Sequence, residues 1–137
     1  MGRATAAAEA ILRTPLHRLL SGSRLVISFL DDHGDDQTVM VQYADAHHGL
    51  VVVVNDEDSG SWWQQFDDMG QVRVLWKGTW TPMTAHTLRG ADDPAAVTPL
   101  LRSYAKQYPD VVKSLGGDNL EERVAHTVVV WLRPATH

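Results

Sequence analysis

The sequence predicts a mainly β domain with added helices (α+β), in which about six mostly antiparallel strands form a closed or split β-barrel. Short apolar segments with alternating side chains recur along the chain and are separated by turns rich in Gly, Asp and His. A short helix bearing two tryptophans lies between strands, and a longer helix precedes the last strand. A β-sandwich is the alternative architecture, which the helix between strands disfavours.

Length and composition predict a single domain over residues 1–137. The chain is 44% apolar, which is enough to bury roughly two thirds of its unfolded surface without a metal or a disulfide. We expect an N-terminal helical segment over residues 1–20, because an Ala-rich start leads into an apolar stripe. Pro15 either kinks this helix or begins a second one capped by Thr14.

The next segment predicts a meander of three strands. Residues 24–30 carry apolar side chains on both faces, and residues 37–43 follow as an antiparallel partner. The acidic run 31–36 between them is typical of a hairpin tip with its charges in water. A turn at 46–49 then leads to a third strand over 50–55.

The middle of the chain predicts a tryptophan-bearing helix and two strands. The helix places Trp62, Phe66 and Met69 on one face. An alternating strand follows and turns at a Lys-Gly pair into another strand over 79–88. Pro82 lacks a backbone N–H, so this last strand is expected to be an edge strand or to contain a bulge.

The last third predicts helix followed by strand. Residues 92–94 have the Asp-Asp-Pro pattern of a capped helix start, and Thr98-Pro99 suggests a second start. Pro109 is expected to stop this helix, and residues 113–122 to be loosely structured. Alternating apolar side chains predict the final strand over 124–132.

Charge and composition exclude several classes of function. The chain has no cysteine, so it has neither disulfides nor thiolate chemistry. Ten of the 17 carboxylates lie in residues 31–68, and no Lys or Arg lies between Arg24 and Arg73, so nucleic-acid binding is disfavoured. Neither a signal peptide nor a membrane span is recognisable, so a cytoplasmic protein without membrane contact is expected. P-loop, dinucleotide and nucleophile-elbow motifs are absent from the sequence.

Several motifs resemble one protein family over roughly residues 15–134. Leu50-Val51-Val52-Val53-Val54-Asn55 precedes Trp62-Trp63-Gln64-Gln65-Phe66 and then Gln71-Val72-Arg73-Val74, and Tyr108-Pro109 ends the late helix. In this order and spacing, the chain resembles the deazaflavin-dependent nitroreductase family, within the pyridoxamine phosphate oxidase-like superfamily of FMN-binding split β-barrels. The resemblance implies a split barrel and, if the protein is an enzyme, a flavin- or deazaflavin-dependent oxidoreductase.

The resemblance also implies a cofactor, FMN or the deazaflavin coenzyme, and a cleft that binds it. The residues implied at the cleft are Gln37, Thr38, Asn55, Ser59, Trp62 and Trp63. Asp31 and Asp32 stand where the family carries basic residues for the cofactor phosphate, so we expect phosphate binding at this loop to be opposed. The stretch after Tyr108-Pro109 offers no tyrosine as a proton donor.

Each candidate site has a structural alternative. Trp62 and Trp63 either stack on a flat conjugated ring, or Trp62 lies in the core with Trp63 half exposed. The acidic hairpin, with Asp56, Glu57 and Asp58, either chelates a hard cation or is simply solvated, and its spacing does not match a calcium loop. His47-His48 is better explained as a turn than as a metal site, and His126 is expected to be buried with hydrogen bonds rather than catalytic.

Two functional hypotheses follow. In the first, the protein is a split-barrel oxidoreductase-like protein that binds a flat conjugated cofactor or ligand, and the cofactor supplies the redox chemistry. In the second, the same fold has lost that cofactor and serves as a small-ligand or protein-binding module. Neither requires a metal. A homodimer is compatible with both.

Overall fold

The computed structural model describes residues 24–54, 62–115 and 118–135. Within them, seven strands form one antiparallel sheet in the order β2-β1-β5-β6-β7-β4-β3. The strands are β1 (Arg24–Leu30), β2 (Asp36–Gln42), β3 (Ala44–Ala46), β4 (Gly49–Val54), β5 (Gly70–Trp76), β6 (Thr79–Arg89) and β7 (Val128–Pro134). The predicted N-terminal helix over residues 1–20 lies outside the described residues.

Four helical segments accompany the sheet in the described part of the chain. They are the 3₁₀-helix Trp62–Phe66 and three α-helices, α1 (Pro94–Gln107), α2 (Pro109–Ser114) and α3 (Leu120–Ala125). Asp93 caps α1, because its carboxylate accepts a hydrogen bond from the backbone N–H of Ala96, as the Asp-Asp-Pro pattern predicted. None of the described helices is both long and apolar enough to cross a bilayer.

The sheet curls into a split β-barrel, which confirms the predicted fold class. Alternate residues of the strands point inward and form the barrel core together with Trp63 and Phe66. On the outer face of β4 and β7, a second core of Val51, Val129 and their neighbours is covered by the three α-helices. The two cores therefore share β4 and β7, which explains why residues on both faces of these strands are apolar.

The predicted meander of three strands is wrong in its pairing. β1 and β2 do form a hairpin, with Arg24 opposite Gln42 and Leu30 opposite Asp36. However, β4 pairs with β7 and not with β2, and the short strand β3, which the sequence pattern did not reveal, pairs with the start of β4. β2 and β4 are close in sequence but are not hydrogen-bonded to each other, because the barrel is open between them.

Pro82 does not make β6 an edge strand, since β6 lies between β5 and β7. The two-residue turn at Lys77 and Gly78, both with positive φ, fixes the β5–β6 register. Counting from that turn, Pro82 falls opposite Arg73 at a position without a ladder hydrogen bond to β5. On its other side the pairing with β7 begins only at Met83, so the missing N–H of Pro82 leaves no ladder bond unmade.

The region after α1 is more helical than the sequence predicts. Pro99 lies inside α1 and does not begin a second helix. Pro109 ends α1 but starts α2, and α3 occupies part of the segment expected to be loose. Because α3 continues to Ala125, the last strand begins only at Val128, and His126 is exposed in the turn before it and is not buried.

Candidate functional site

The barrel wall is open between β2 and β4, and this gap is called the seam here. β2 is the last strand of the sheet and pairs only with β1 among the described strands. β3 covers β4 only as far as Val51, so residues 52–54 also present an unpaired edge within the described sheet. Two strand edges therefore face each other without hydrogen bonding across the gap.

A cavity of about 400 Å³ occupies the seam and is called the seam cavity. Nine of its thirteen lining residues are apolar, and the walls come from both strand edges, from the 3₁₀-helix, from α1, and from α2 with the residue after it. The apolar lining residues are Val39, Met40, Val41, Val52, Val53, Val54, Trp62, Val111 and Leu115. A volume of this size lies within the range of small-molecule sites, and polar and apolar atoms contribute about equally to its walls.

The two adjacent tryptophans have different surroundings. Trp62 is half-buried and lines the seam cavity, with its ring centroid 6.2 Å from that of Phe29. Trp63 is buried in the barrel core, its carbonyl accepts a hydrogen bond from Thr87 at 2.5 Å, and Arg89 lies over its ring. The structural alternative, with Trp62 in the core and Trp63 half exposed, is therefore the reverse of what is found.

The short 3₁₀ geometry explains this reversal. A helix continuing to Met69 would place Trp62, Phe66 and Met69 on one face, but the helical segment ends at Phe66 and Met69 is exposed. With about three residues per turn, Trp63 and Phe66 share a face instead. That face points into the barrel core, which leaves the Trp62 indole at the seam.

Polar groups of the seam cavity gather at one end. Arg24, at the start of β1, is the only charged residue among the described residues that line this cavity, and it lies opposite Gln42 in the hairpin register. The Tyr104 hydroxyl of α1 donates to Oε1 of Gln42 at 3.2 Å. A guanidinium, a carboxamide and a phenol thus meet where β2 ends.

Three tyrosines lie at this polar end of the seam cavity and contact one another. The Tyr108 hydroxyl donates to the carbonyl of Tyr43 at 2.7 Å, and the Tyr104 and Tyr108 rings lie 4.8 Å apart. Burial raises the pKa of Tyr104 to about 12, and the nearby Tyr108 acts in the same direction while Arg24 acts against it. Burial also raises the pKa of Tyr43 and of Tyr108. These phenols therefore remain protonated donors at neutral pH.

The seam cavity adjoins a second cavity that is acidic, and the two cavities together are called the groove. A second cavity of about 370 Å³, called the turn cavity, lies beside the β1–β2 turn and is lined by Asp31, Asp32 and His33 together with Gln37. Val39 and Trp62 line both cavities, so the two adjoin along the inner side of β2.

Asp31 organises the β1–β2 turn. Its carboxylate accepts hydrogen bonds from the backbone N–H groups of His33 at 2.9 Å and Asp35 at 3.0 Å, and from the side chain of Gln37 at 2.9 Å. The bond from Asp35 is the main reason why the pKa of Asp31 is lowered below its usual value. Because the carboxylate is ionised and already engaged in the turn, this end opposes an anionic group.

The structure brings together only some of the residues implied by the resemblance. Gln37 and Trp62 line the same cavity, whereas Thr38 points to the other face of β2, where its buried hydroxyl has no hydrogen-bond partner among the described residues. Trp63 belongs to the core, as described above. Asn55 and Ser59 lie outside the described residues.

The described histidine and acidic candidates do not form a metal centre, and Asp56, Glu57 and Asp58 lie outside the described residues. His47 and His48 occupy the β3–β4 turn, with their rings 3.8 Å apart and His48 at positive φ. No group of three or more His, Asp or Glu side chains among the described residues is placed to hold a metal ion. The predicted turn is thereby confirmed for His47-His48.

Sequence reasoning missed the polar end of the seam cavity. Tyr104 and Tyr108 are spaced one helical turn apart in the sequence, but nothing in that spacing marks them as part of a site. Arg24 begins the first predicted strand, but the predicted strands over 24–30 and 37–43 would place it opposite Tyr43, one residue from its observed partner Gln42. What the pattern could not show is that α1 crosses β4 and delivers a phenol to that pair.

Comparison with known proteins gives structural neighbours but no sequence relatives. No family model and no curated protein matches the chain. Among solved structures, the heme storage protein HutZ from Vibrio cholerae matches with a TM-score of 0.51 at 9% identity, covering 84% of this chain and 83% of that one. An FAD and heme binding protein from Mycobacterium smegmatis matches with a TM-score of 0.51 at 12% identity, covering 90% of this chain and 66% of that one. At such low identity the comparisons support the split-barrel fold alone.

Proposed function

We propose that this protein binds a flat conjugated ligand in the seam cavity. The observation that carries the proposal is the cavity itself, which is about 400 Å³, has valine walls on two unpaired strand edges and has the Trp62 indole at its border. Aromatic and aliphatic walls favour planar conjugated molecules, because such molecules bury much area with little loss of conformational entropy. The few polar groups at the Tyr104 end would fix the orientation of the ligand.

Three lines of comparison are compatible with such a ligand. One structural neighbour is described as a heme storage protein and another as binding FAD and heme. The sequence motifs around Leu50–Asn55 and Trp62–Phe66 resemble the deazaflavin-dependent nitroreductases, whose cofactor is also a flat conjugated ring. We therefore place heme, flavins and the deazaflavin coenzyme in the class of ligands to be tested.

The residues present fit the ring of such a ligand better than a phosphate at the β1–β2 turn. The turn presents Asp31 and Asp32 where a phosphate would need N–H donors and cations, and its own N–H groups of His33 and Asp35 already bind Asp31. If the ligand is a redox cofactor, it supplies the electron transfer. The chain then binds and orients it and excludes water through Trp62 and the valine walls.

The direct test is titration of the purified protein with FMN, FAD, hemin and the reduced deazaflavin coenzyme, followed by absorbance and tryptophan fluorescence. At least one is expected to bind with Kd below ~100 μM. Trp62→Ala should weaken that binding about tenfold through loss of aromatic contact. Trp80→Ala is the matched control, because Trp80 is half-buried on another part of the sheet and packs with Val26 and Leu75.

A second function remains in competition because of the acidic turn. A split barrel that has lost its redox cofactor would serve as a small-ligand or protein-binding module, and the carboxylates of Asp31 and Asp32 favour this alternative over a phosphorylated flavin. The titration separates the two. Absence of binding by all four probes at ~100 μM would reject the cofactor proposal and leave the binding module.

A further inference from the structure

We infer that the ligand of the seam cavity is an anion whose negatively charged group is bound by Arg24, at the end of the groove away from the β1–β2 turn. This inference rests on the proposed function and specifies the chemical class and the orientation of its ligand. The ligand class is a planar conjugated molecule that carries a carboxylate or phosphate substituent at one end.

The charges along the groove are arranged with one sign at each end. Arg24 is the only charged residue that lines the seam cavity in the described part of the chain, while Asp31 and Asp32 line the adjoining turn cavity. Arg24 begins β1 and the turn follows its last residue, Leu30. Six strand steps at about 3.3 Å each separate the two ends by about 20 Å.

The groups around Arg24 are suited to an anion. Gln42 lies opposite Arg24 in the hairpin, and the Tyr104 hydroxyl fixes its carboxamide by donating to Oε1. Arg24 forms no ion pair with a described carboxylate, and its side chain is exposed at the edge of the cavity. A guanidinium offers up to five N–H donors in a planar fork, which matches the oxygens of a carboxylate or phosphate.

The turn end opposes the same group. A carboxylate or phosphate placed there would face Asp31 and Asp32, and the backbone N–H groups that could bind it are already occupied by Asp31. At ~20 Å the two ends act almost independently, because the screening length is about 8 Å at physiological salt. An elongated anionic ligand therefore has one favourable orientation, with its uncharged end directed to the turn.

The experiment compares ligand pairs that share a ring and differ in charge. The probes are FMN against riboflavin, and protoporphyrin IX against its dimethyl ester, each titrated by fluorescence at about 0.15 M salt. The charged member is expected to bind about tenfold more tightly than the neutral one, as for a charge-assisted hydrogen bond. Arg24→Gln should abolish this preference while leaving the neutral member unaffected, and Arg24→Lys should restore part of it.

Two control variants test the orientation. Arg102→Gln removes the same charge from the exposed face of α1 and should leave the preference unchanged. Asp31→Asn with Asp32→Asn should change the preference by less than about threefold, because the turn is remote from the anion. Equal binding of charged and neutral members, or a preference that responds to the aspartates and not to Arg24, would overturn the inference alone. Failure of these two probe pairs, and of FAD, hemin and the reduced deazaflavin coenzyme, to bind would overturn the proposed function itself.

Discussion

The closed side of the barrel and the seam differ in whether their strand edges are paired. On the closed side, β5, β6 and β7 form continuous antiparallel ladders, and β7 continues the pairing to β4. At the seam, β2 and β4 face each other without such a ladder among the described residues. The interior behind the ladders is filled by strand side chains such as Val130 and Leu132, which are fully buried.

At the seam, side chains from outside the sheet take over the role of a missing strand. Trp62 from the 3₁₀-helix and Tyr104 from α1 approach the gap, and between them a cavity of about 400 Å³ is left. The largest gap in the wall, and the proposed ligand site, therefore lie where backbone pairing ends. Unpaired strand edges are usually a liability, and here the gap is partly covered by side chains of helices.

The largest contrast is expected from a methyl group added to a glycine on each side. In Gly49→Ala, the new Cβ would lie 2.0 Å from the Leu132 carbonyl oxygen of β7, so strand β4 would have to move away from β7. We expect a loss of at least about 3 kcal/mol in the free energy of unfolding, the upper range for overpacking, because the obstacle is backbone. Urea unfolding measures it.

Gly34→Ala is the matched substitution on the open side. No atom lies within 4 Å of a Cβ at Gly34, and only its φ of +81° is unfavourable for alanine. A loss of about 1 to 2 kcal/mol is expected. If the two variants were equally stable, the close contact between Gly49 and β7 would not exist as described.

A second comparison shortens one valine to alanine on each side of the barrel. Val130 is fully buried in the barrel core, whereas Val41 is half-buried and lines the seam cavity. Val130→Ala should cost about 2 to 3 kcal/mol, because it combines the lost burial with a new closed cavity. Val41→Ala only enlarges an open cavity and should cost less than about 1 kcal/mol.

For ligand affinity, the Val41 substitution should have the larger effect and the Val130 substitution the smaller one, the reverse of their effects on stability. Val41→Ala alters the wall of the site and is expected to change the affinity for the best-binding probe, while Val130→Ala leaves it unchanged once folded protein is selected. Thermal unfolding gives the stabilities, and fluorescence titration gives the affinities. An equal stability loss in both variants would mean that the seam is packed as tightly as the closed side.

The closed side was the more predictable of the two from sequence. Alternation predicted β5 and β6, and the strand expected over residues 79–88 is observed as Thr79–Arg89, because side chains at every second position are buried in one core. The turn at Lys77 and Gly78 was visible because glycine favours the positive φ of a two-residue hairpin, and Lys77 adopts a positive φ beside it. Local pattern and tertiary packing agree in this half of the molecule.

The seam could not be predicted in the same way, because its residues are brought together by topology. The sequence pattern predicts that β2 and β4 pair, because they are consecutive apolar strands. Nothing in the local sequence indicates that β4 pairs with β7 instead. The Trp62 and Trp63 environments depended on a 3₁₀ segment whose period differs from that of an α-helix. Gln37 and Trp62 were identified as neighbours of one site, but the approach of Tyr104 required the crossing of α1 over β4, and the partner of Arg24 required the observed hairpin register.

The smallest contrast concerns alkaline pH, and it should come from the seam. The buried hydroxyls of Ser28, Thr87 and Thr127 do not titrate near pH 10, whereas Tyr104 lines the seam cavity with a pKa raised by burial to about 12. A pKa raised above the unfolded value of about 10 means that the unfolded chain loses this proton first. The contribution of Tyr104 to stability is therefore complete below pH 10 and falls between about pH 10 and 12.

Tyr104→Phe isolates this effect from the other alkaline titrations. At pH 8 the variant should be slightly less stable, because the hydrogen bond from Tyr104 to Gln42 is lost. Between pH 8 and 11 its melting temperature should fall less steeply than that of the wild type, since Tyr43, Tyr108 and all other titratable groups are the same in both proteins. Identical slopes would show that the Tyr104 phenol is as hydrated in the folded protein as in the unfolded chain, and the polar end of the seam would then be open to water.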